Sequence, residues 1–111
     1  MERKWSEKMT ALIKRVGAFS KANPPVASAF HKLETATREG NILDAKTHEL
    51  ISLAVAVTTR CDGCITAHAA AAKKAGANKE EIAAALGTAI ALNAGAAYVY
   101  SARAFEAYEE L

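Results

Sequence analysis

A chain of 111 residues holds one domain with a single core and is too short for two. Its residues are 51% apolar, which excludes general disorder, and its net charge of +2 comes from interspersed acids and bases. That pattern excludes the basic patch a phosphate backbone requires, so no nucleic-acid partner is expected.

The elements follow in chain order. Met1-Glu2-Arg3-Lys4-Trp5-Ser6-Glu7 carries charges where a signal peptide has its apolar region. The two cysteines, three apart, cannot form a secreted disulfide framework, so a reducing cytoplasm is the expected compartment. Residues 2–19 read as an amphipathic helix, with Trp5, Met9, Leu12, Ile13, Val16 and Phe19 recurring at spacings of three and four. Asn23-Pro24-Pro25 stops it, because prolines remove donors and disfavour helix before them. A second helix starts near Pro25 and ends near Arg38-Glu39-Gly40-Asn41, with Gly40 as its C-terminal cap.

Asp44 is an N-cap for a helix over 45–59, apolar on nearly every side and therefore expected to be buried. The Val and Thr content of 54–59 also suits a strand. No second strand exists to pair with it, and helix is the reading taken. Thr59 or Asp62 can cap the next helix, over about 60–75, which closes at Gly76. Asn78 with Glu81 forms a capping-box pattern that opens a further helix at Lys79. From there to Leu111 the chain reads as one helix or two, with Asn93-Ala94-Gly95 a point of kink or break. The stretch from Ile82 to Ala102 carries no Asp, Glu, Lys or Arg and is long enough for a bilayer. Its Ala-rich content supplies little transfer energy, so a buried segment and no membrane partner are expected. The fold class is all-α, with five to six helices.

Chemistry concentrates at Cys61-Asp62-Gly63-Cys64 and His68. In a helix Cys61, Cys64 and His68 fall at i, i+3 and i+7, within an arc of roughly 60°. A cysteine in a first helical turn sits among free amides and the positive end of the dipole, which favours thiolate and gives Cys61 the positional advantage. His68, four residues after Cys64, leans back onto it and can take its proton, which favours Cys64 as the attacking sulfur. If helices 45–59 and 60–75 pack antiparallel, Glu49 lies level with His68 and can orient and prime its ring. A metal reading, with Cys61, Cys64 and His68 plus His48 or Glu49 as ligands, is disfavoured because ligands on one regular helix seldom converge tetrahedrally. No metal and no cofactor are expected. His31 lies beside Lys32 and is expected on the surface, and Tyr98, Tyr100, Phe105 and Tyr108 read as core or subunit contact.

Glu49, eleven intervening residues, then Cys61-x-x-Cys64-x-x-x-His68 resembles the signature of the AhpD-like branch of the carboxymuconolactone decarboxylase family. The similarity runs over roughly residues 25–111, leaving 1–24 as an N-terminal helical extension of a single domain, 1–111. The resemblance implies an all-helical fold assembling as trimers or hexamers, with peroxidase or disulfide-reductase activity. It implies a small hydroperoxide as substrate and an external dithiol or protein disulfide reductant as partner. By that likeness Cys64 is the peroxidatic cysteine, Cys61 the resolving one, and Glu49 and His68 the proton relay. Gly63 departs from the best-known members, which have a histidine there. Decarboxylases of the family share the fold without depending on a cysteine pair, and a non-catalytic redox-sensing module is the reading of another class.

Overall fold

The computed structural model describes residues 4–111, and the first residues of the helix expected over 2–19 lie outside that range. Five α-helices follow one another: α1 (Trp5–Ala22), α2 (Pro24–Ala36), α3 (Ala45–Thr59), α4 (Asp62–Lys74) and α5 (Lys79–Glu110). Among the described residues there is no strand, which settles 54–59 as helix.

The stops are local chemistry. Asn23 ends α1 and also caps α2, its Oδ1 accepting the Val26 amide, while Pro24 and Pro25 fill positions that need no donor. The second helix ends at Ala36, earlier than expected, and a single 3-10 turn, Glu39–Asn41, follows with Gly40 at φ 77°. Asp44 Oδ1 accepts the Thr47 amide at 2.7 Å and opens α3 where the sequence places it. Gly76, at φ 89°, ends α4 in a conformation that glycine adopts freely. The Asn78–Glu81 box opens α5 through reciprocal bonds of 2.8 and 3.0 Å.

The helix α3 is the hub, packed against both α4 and α5. A two-residue turn joins it to α4: Arg60 takes the left-handed conformation (φ 54°) and its amide and that of Cys61 return to the end of α3. With so short a turn α4 must run antiparallel to α3. By contrast α5 runs parallel to α3, held at one end by Lys46–Glu81 (2.7 Å) and at the other by Asn93 Nδ2 donating to Thr58 Oγ1 (2.9 Å). Along α4 lies α1, which turns back into α2.

Two expectations about burial are corrected. In the single chain α3 buries only Glu49, Leu53 and Ala56, and Ile51 and Val55 stay about half exposed, because helices cover it on two sides rather than all round. The apolar stretch of α5 is not buried either: Ala89 is its one buried residue. By length and composition α5 could cross a membrane. Of the two alternatives at Asn93-Ala94-Gly95, the structure takes one continuous helix. The Asn93 side chain bonds to Ala89 O and to Thr58, inside a run of strong helix formers, so the helix continues to Glu110.

The thiol pair and the Glu49–His68–Arg38 network

Cys61 is not part of the regular helix that carries Cys64 and His68. It is the N-cap of α4, extended at φ −100° and ψ 101°, and its Sγ accepts the Cys64 amide at 3.1 Å. This corrects the expected caps, Thr59 and Asp62, and leaves the shared-face argument to Cys64 and His68 alone. The two sulfurs are joined as a disulfide, with Cα atoms 5.2 Å apart. Both residues are partly exposed, in the first turn where amide groups and the helix dipole favour negative charge on sulfur.

Glu49 and His68 meet as the antiparallel pairing requires, with His68 Nδ1 and Glu49 Oε2 2.6 Å apart. Glu49 is 3% exposed, in the first turns of α3. Its other oxygen, Oε1, takes a 3.0 Å ion pair from Arg38 Nη1, which lies just beyond the end of α2. Burial by itself drives this carboxyl up; the hydrogen bonds and charges of His68 and Arg38 outweigh it and hold Glu49 below the ordinary carboxylate range. An ionised carboxylate only accepts, so Nδ1 carries the proton of the bond to Glu49, and in the neutral ring Nε2 holds the lone pair. Cys64 and His68 are i and i+4 neighbours on α4, about 5–6 Å apart at Cβ.

Sequence reading missed Arg38. The signal that could have found it is the buried acid itself, which needs more than a neutral imidazole to stay ionised. His48 does not bond to Glu49; it shares a pocket of about 280 Å³ with Phe30, Leu33, Arg38, Ser52 and His68. His31 is exposed on α2. Among the described residues no cluster of three or more His, Cys, Asp or Glu side chains is arranged to hold a metal ion.

Gly63 has a steric reason. A Cβ there would stand 3.0 Å from Leu12 Cδ1 of α1, and Lys8 of the same helix pairs with Asp62 at 3.5 Å. A side chain between the cysteines would therefore have to displace the end of the Leu12 side chain of α1. Gly63→His is expected to lose about 1–3 kcal/mol by overpacking and to shift the emission of Trp5, the chain's one tryptophan, which lies on α1. An unchanged denaturation midpoint with unchanged emission would show that α1 is not seated there.

A model described as the carboxymuconolactone decarboxylase family matches residues 24–107. The chain belongs to that family. The matched span begins at the first residue of α2, so α1 and its contact with Gly63 lie outside it. A Haemophilus influenzae protein described as uncharacterized is 60% identical over 104 residues, covering 94% of this chain and 92% of that one. Another, described as uncharacterized protein 4 in the cox locus of Paracoccus denitrificans, is 34% identical over 96 residues, 86% of each. The crystal structure of a carboxymuconolactone decarboxylase family protein from Legionella pneumophila, in its apo form, superposes with a TM-score of 0.77 at 35% identity. It covers 98% of this chain and 97% of its own. A Methanobacterium thermoautotrophicum structure gives a TM-score of 0.72 at 34% identity, covering 78% of this chain and 98% of its own. The all-helical, AhpD-like fold implied by the signature is thus shared with a solved member of the carboxymuconolactone decarboxylase family.

Proposed function

We propose that this chain is a thiol-dependent peroxidase and disulfide reductase. The observation that carries the reading is the buried Glu49 carboxylate bonded to Nδ1 of His68, on the helix whose first turn holds Cys61 and Cys64. A carboxylate so placed fixes the ring's tautomer and orientation, which leaves the Nε2 lone pair to take a proton from a thiol one turn away.

In the reduced protein His68 Nε2 takes the Cys64 proton, and the thiolate attacks the terminal oxygen of a hydroperoxide. The O–O bond breaks, the sulfur becomes a sulfenic acid, and the leaving alkoxide takes the proton from His68 as alcohol. Cys61 then attacks the sulfenic sulfur, water leaves, and the Cys61–Cys64 disulfide forms. An external dithiol resets it by exchange and is itself oxidised to a disulfide. The balance is one hydroperoxide and one dithiol consumed for one alcohol, one water and one disulfide. Such a dithiol belongs to a reducing compartment, consistent with a cytoplasmic location.

The family description names decarboxylation, a reaction that does not draw on a thiol pair, and the cysteines support the redox reading instead. Exposed apolar surface on α5 supports a homo-oligomer as the working form. The test is turnover: with an organic hydroperoxide and excess dithiol the protein is expected to consume many equivalents of peroxide per chain. Oxidation that stops after one equivalent would replace the enzyme by a redox-sensing module.

A further inference from the structure

Three ionisable side chains from three different segments converge beside α3. Glu49 puts one carboxylate oxygen against His68 Nδ1 at 2.6 Å and the other against Arg38 Nη1 at 3.0 Å, so each oxygen has its own partner. Arg38 is held in turn, its Nη2 lying 3.7 Å from Glu34 Oε1 one helical turn back. It stands between the end of α2 and the 3-10 turn, with a side chain 40% exposed, and reaches inward to the one carboxylate buried among the described residues. Of the elements packed against α3, α4 brings His68 and α5 brings Glu81, which pairs with Lys46 three residues before Glu49. His48, on α3 itself, shares the His68 pocket.

We propose that Arg38 is a positioning residue for the thiol chemistry: by pairing with the second oxygen of Glu49 it keeps that carboxyl from holding a proton, and so keeps His68 Nε2 open to the proton of Cys64. The Glu49–His68 pair can hold one proton or two. With one, Glu49 is ionised, Nδ1 carries the proton, and Nε2 has a lone pair that can accept. With a second proton on Glu49, its O–H donates to Nδ1, and the ring's own proton sits on Nε2. The ring is still neutral in that state, but Nε2 is a donor and can take nothing from a thiol. Burial favours this unproductive state, because the ionised carboxylate is the form that loses most on leaving water. The imidazole N–H returns part of that loss, and the charged guanidinium on the other oxygen supplies the rest.

This rests on the reading of His68 as the base for Cys64, and not on which oxidant or disulfide the sulfur then meets. Arg38 has two routes to that sulfur, and they differ in size. Acting directly, the charge of a partly exposed guanidinium is screened by solvent. Acting through Glu49, an opposite charge moves the carboxyl's pKa by about 1–3 units, and the change reaches Nε2 as the presence or absence of a lone pair. Glu34 serves the second route, since its hold on Nη2 limits how far the guanidinium can turn away into water.

The test uses reduced protein in a Cys61→Ser background, where Cys64 is the only thiol, and follows its alkylation by iodoacetamide against pH, with no peroxide present. Arg38→Ala is expected to move the acid limb of that profile up by about 1 pH unit or more, slowing alkylation about tenfold on the limb, while the rates converge at alkaline pH. Arg38→Lys is expected to recover part of the shift. Long-range proton–nitrogen spectra of protein labelled in its histidines are expected to show His68 Nε2 gaining its proton at higher pH in Arg38→Ala than with Arg38 present. In Glu49→Gln no carboxyl remains to protonate, and adding Arg38→Ala is expected to leave the limb where Glu49→Gln puts it. Should Arg38→Ala lose its helical circular dichroism, Arg38→Gln removes the charge, keeps a donor and is expected to shift the limb the same way. A limb that stays in place or moves down without the Arg38 charge, an unaltered His68 titration, or a further shift in the double variant would each overturn the proposal. If His68→Ala left the limb in place, the relay and the role of Arg38 would fall together. Absence of peroxide turnover beside the expected alkylation shifts would remove the peroxidase reading and uphold the role of Arg38.

Discussion

Cys64→Ser is expected to abolish peroxide consumption, a loss on the order of 10³-fold or more, because the remaining thiol, Cys61, is not the i−4 neighbour of His68 on α4 and lacks its base. Cys61→Ser is expected to behave differently: it consumes one equivalent of peroxide, accumulates a sulfenic acid that dimedone traps, and then stops. The fold should survive both changes. Serine is itself a favoured N-cap, so Ser at 61 still accepts the Cys64 amide, and Ser at 64 still presents that amide to Cys61. The pair separates two physical arguments that pull in opposite directions. The cap position of Cys61 favours thiolate there through one amide and the dipole, which act on the ground state. His68 acts on Cys64 in the proton-transfer step itself. Were Cys61→Ser inert and Cys64→Ser able to take one equivalent, the dipole would be the stronger influence and the sulfurs would exchange roles. Full turnover in Cys64→Ser would remove the peroxidase reading.

Much of this site was legible before any coordinates. Antiparallel packing of α3 and α4 sufficed to bring Glu49 to His68, although the turn falls at Arg60 and Cys61 and not at Thr58–Thr59, and Asp44, Gly76 and the Asn78–Glu81 box announce helix ends through local chemistry. What escaped was long-range or unusual. Arg38 reaches Glu49 from beyond α2 and leaves no periodic trace. Sulfur is not among the common capping atoms, so Thr59 and Asp62 looked better than Cys61. The apparent break at Asn93 disappears because its amide bonds to Thr58 on another helix, a contact no local window contains. The burial expected of α3 and α5 assumed that apolar surface must be covered by its own chain. The single chain leaves that surface open.

Arg38→Ala should have the second large effect, on stability and on its pH dependence. Glu49 is almost fully buried, and Arg38 and His68 are its two partners. Removing one partner of a buried pair costs about 3–5 kcal/mol, and an exposed pair contributes at most about 1. Arg38 is itself 40% exposed and His68 remains, so a loss of about 2 kcal/mol is expected, lowering Tm by roughly 8–10 °C. In the wild type the folded-state pKa of Glu49 lies below that of the unfolded chain, about 4.3. The unfolded chain therefore binds more protons in that window, and the Glu49 contribution is complete above about pH 4.3 and lost as pH falls through the folded value. Without Arg38 burial gains weight and the folded-state pKa rises toward the unfolded value, so the loss on acidification still begins near the unfolded pKa but is smaller and ends at a higher pH. If the rise passes the unfolded value the sign reverses, and the variant becomes more stable on mild acidification. Denaturation midpoints at intervals between pH 3 and 7 would show this, with Arg38→Lys recovering part of the wild-type profile through its charge. A variant whose profile is displaced uniformly, with its shape unchanged, would mean that Arg38 packs against α3 without holding the Glu49 charge.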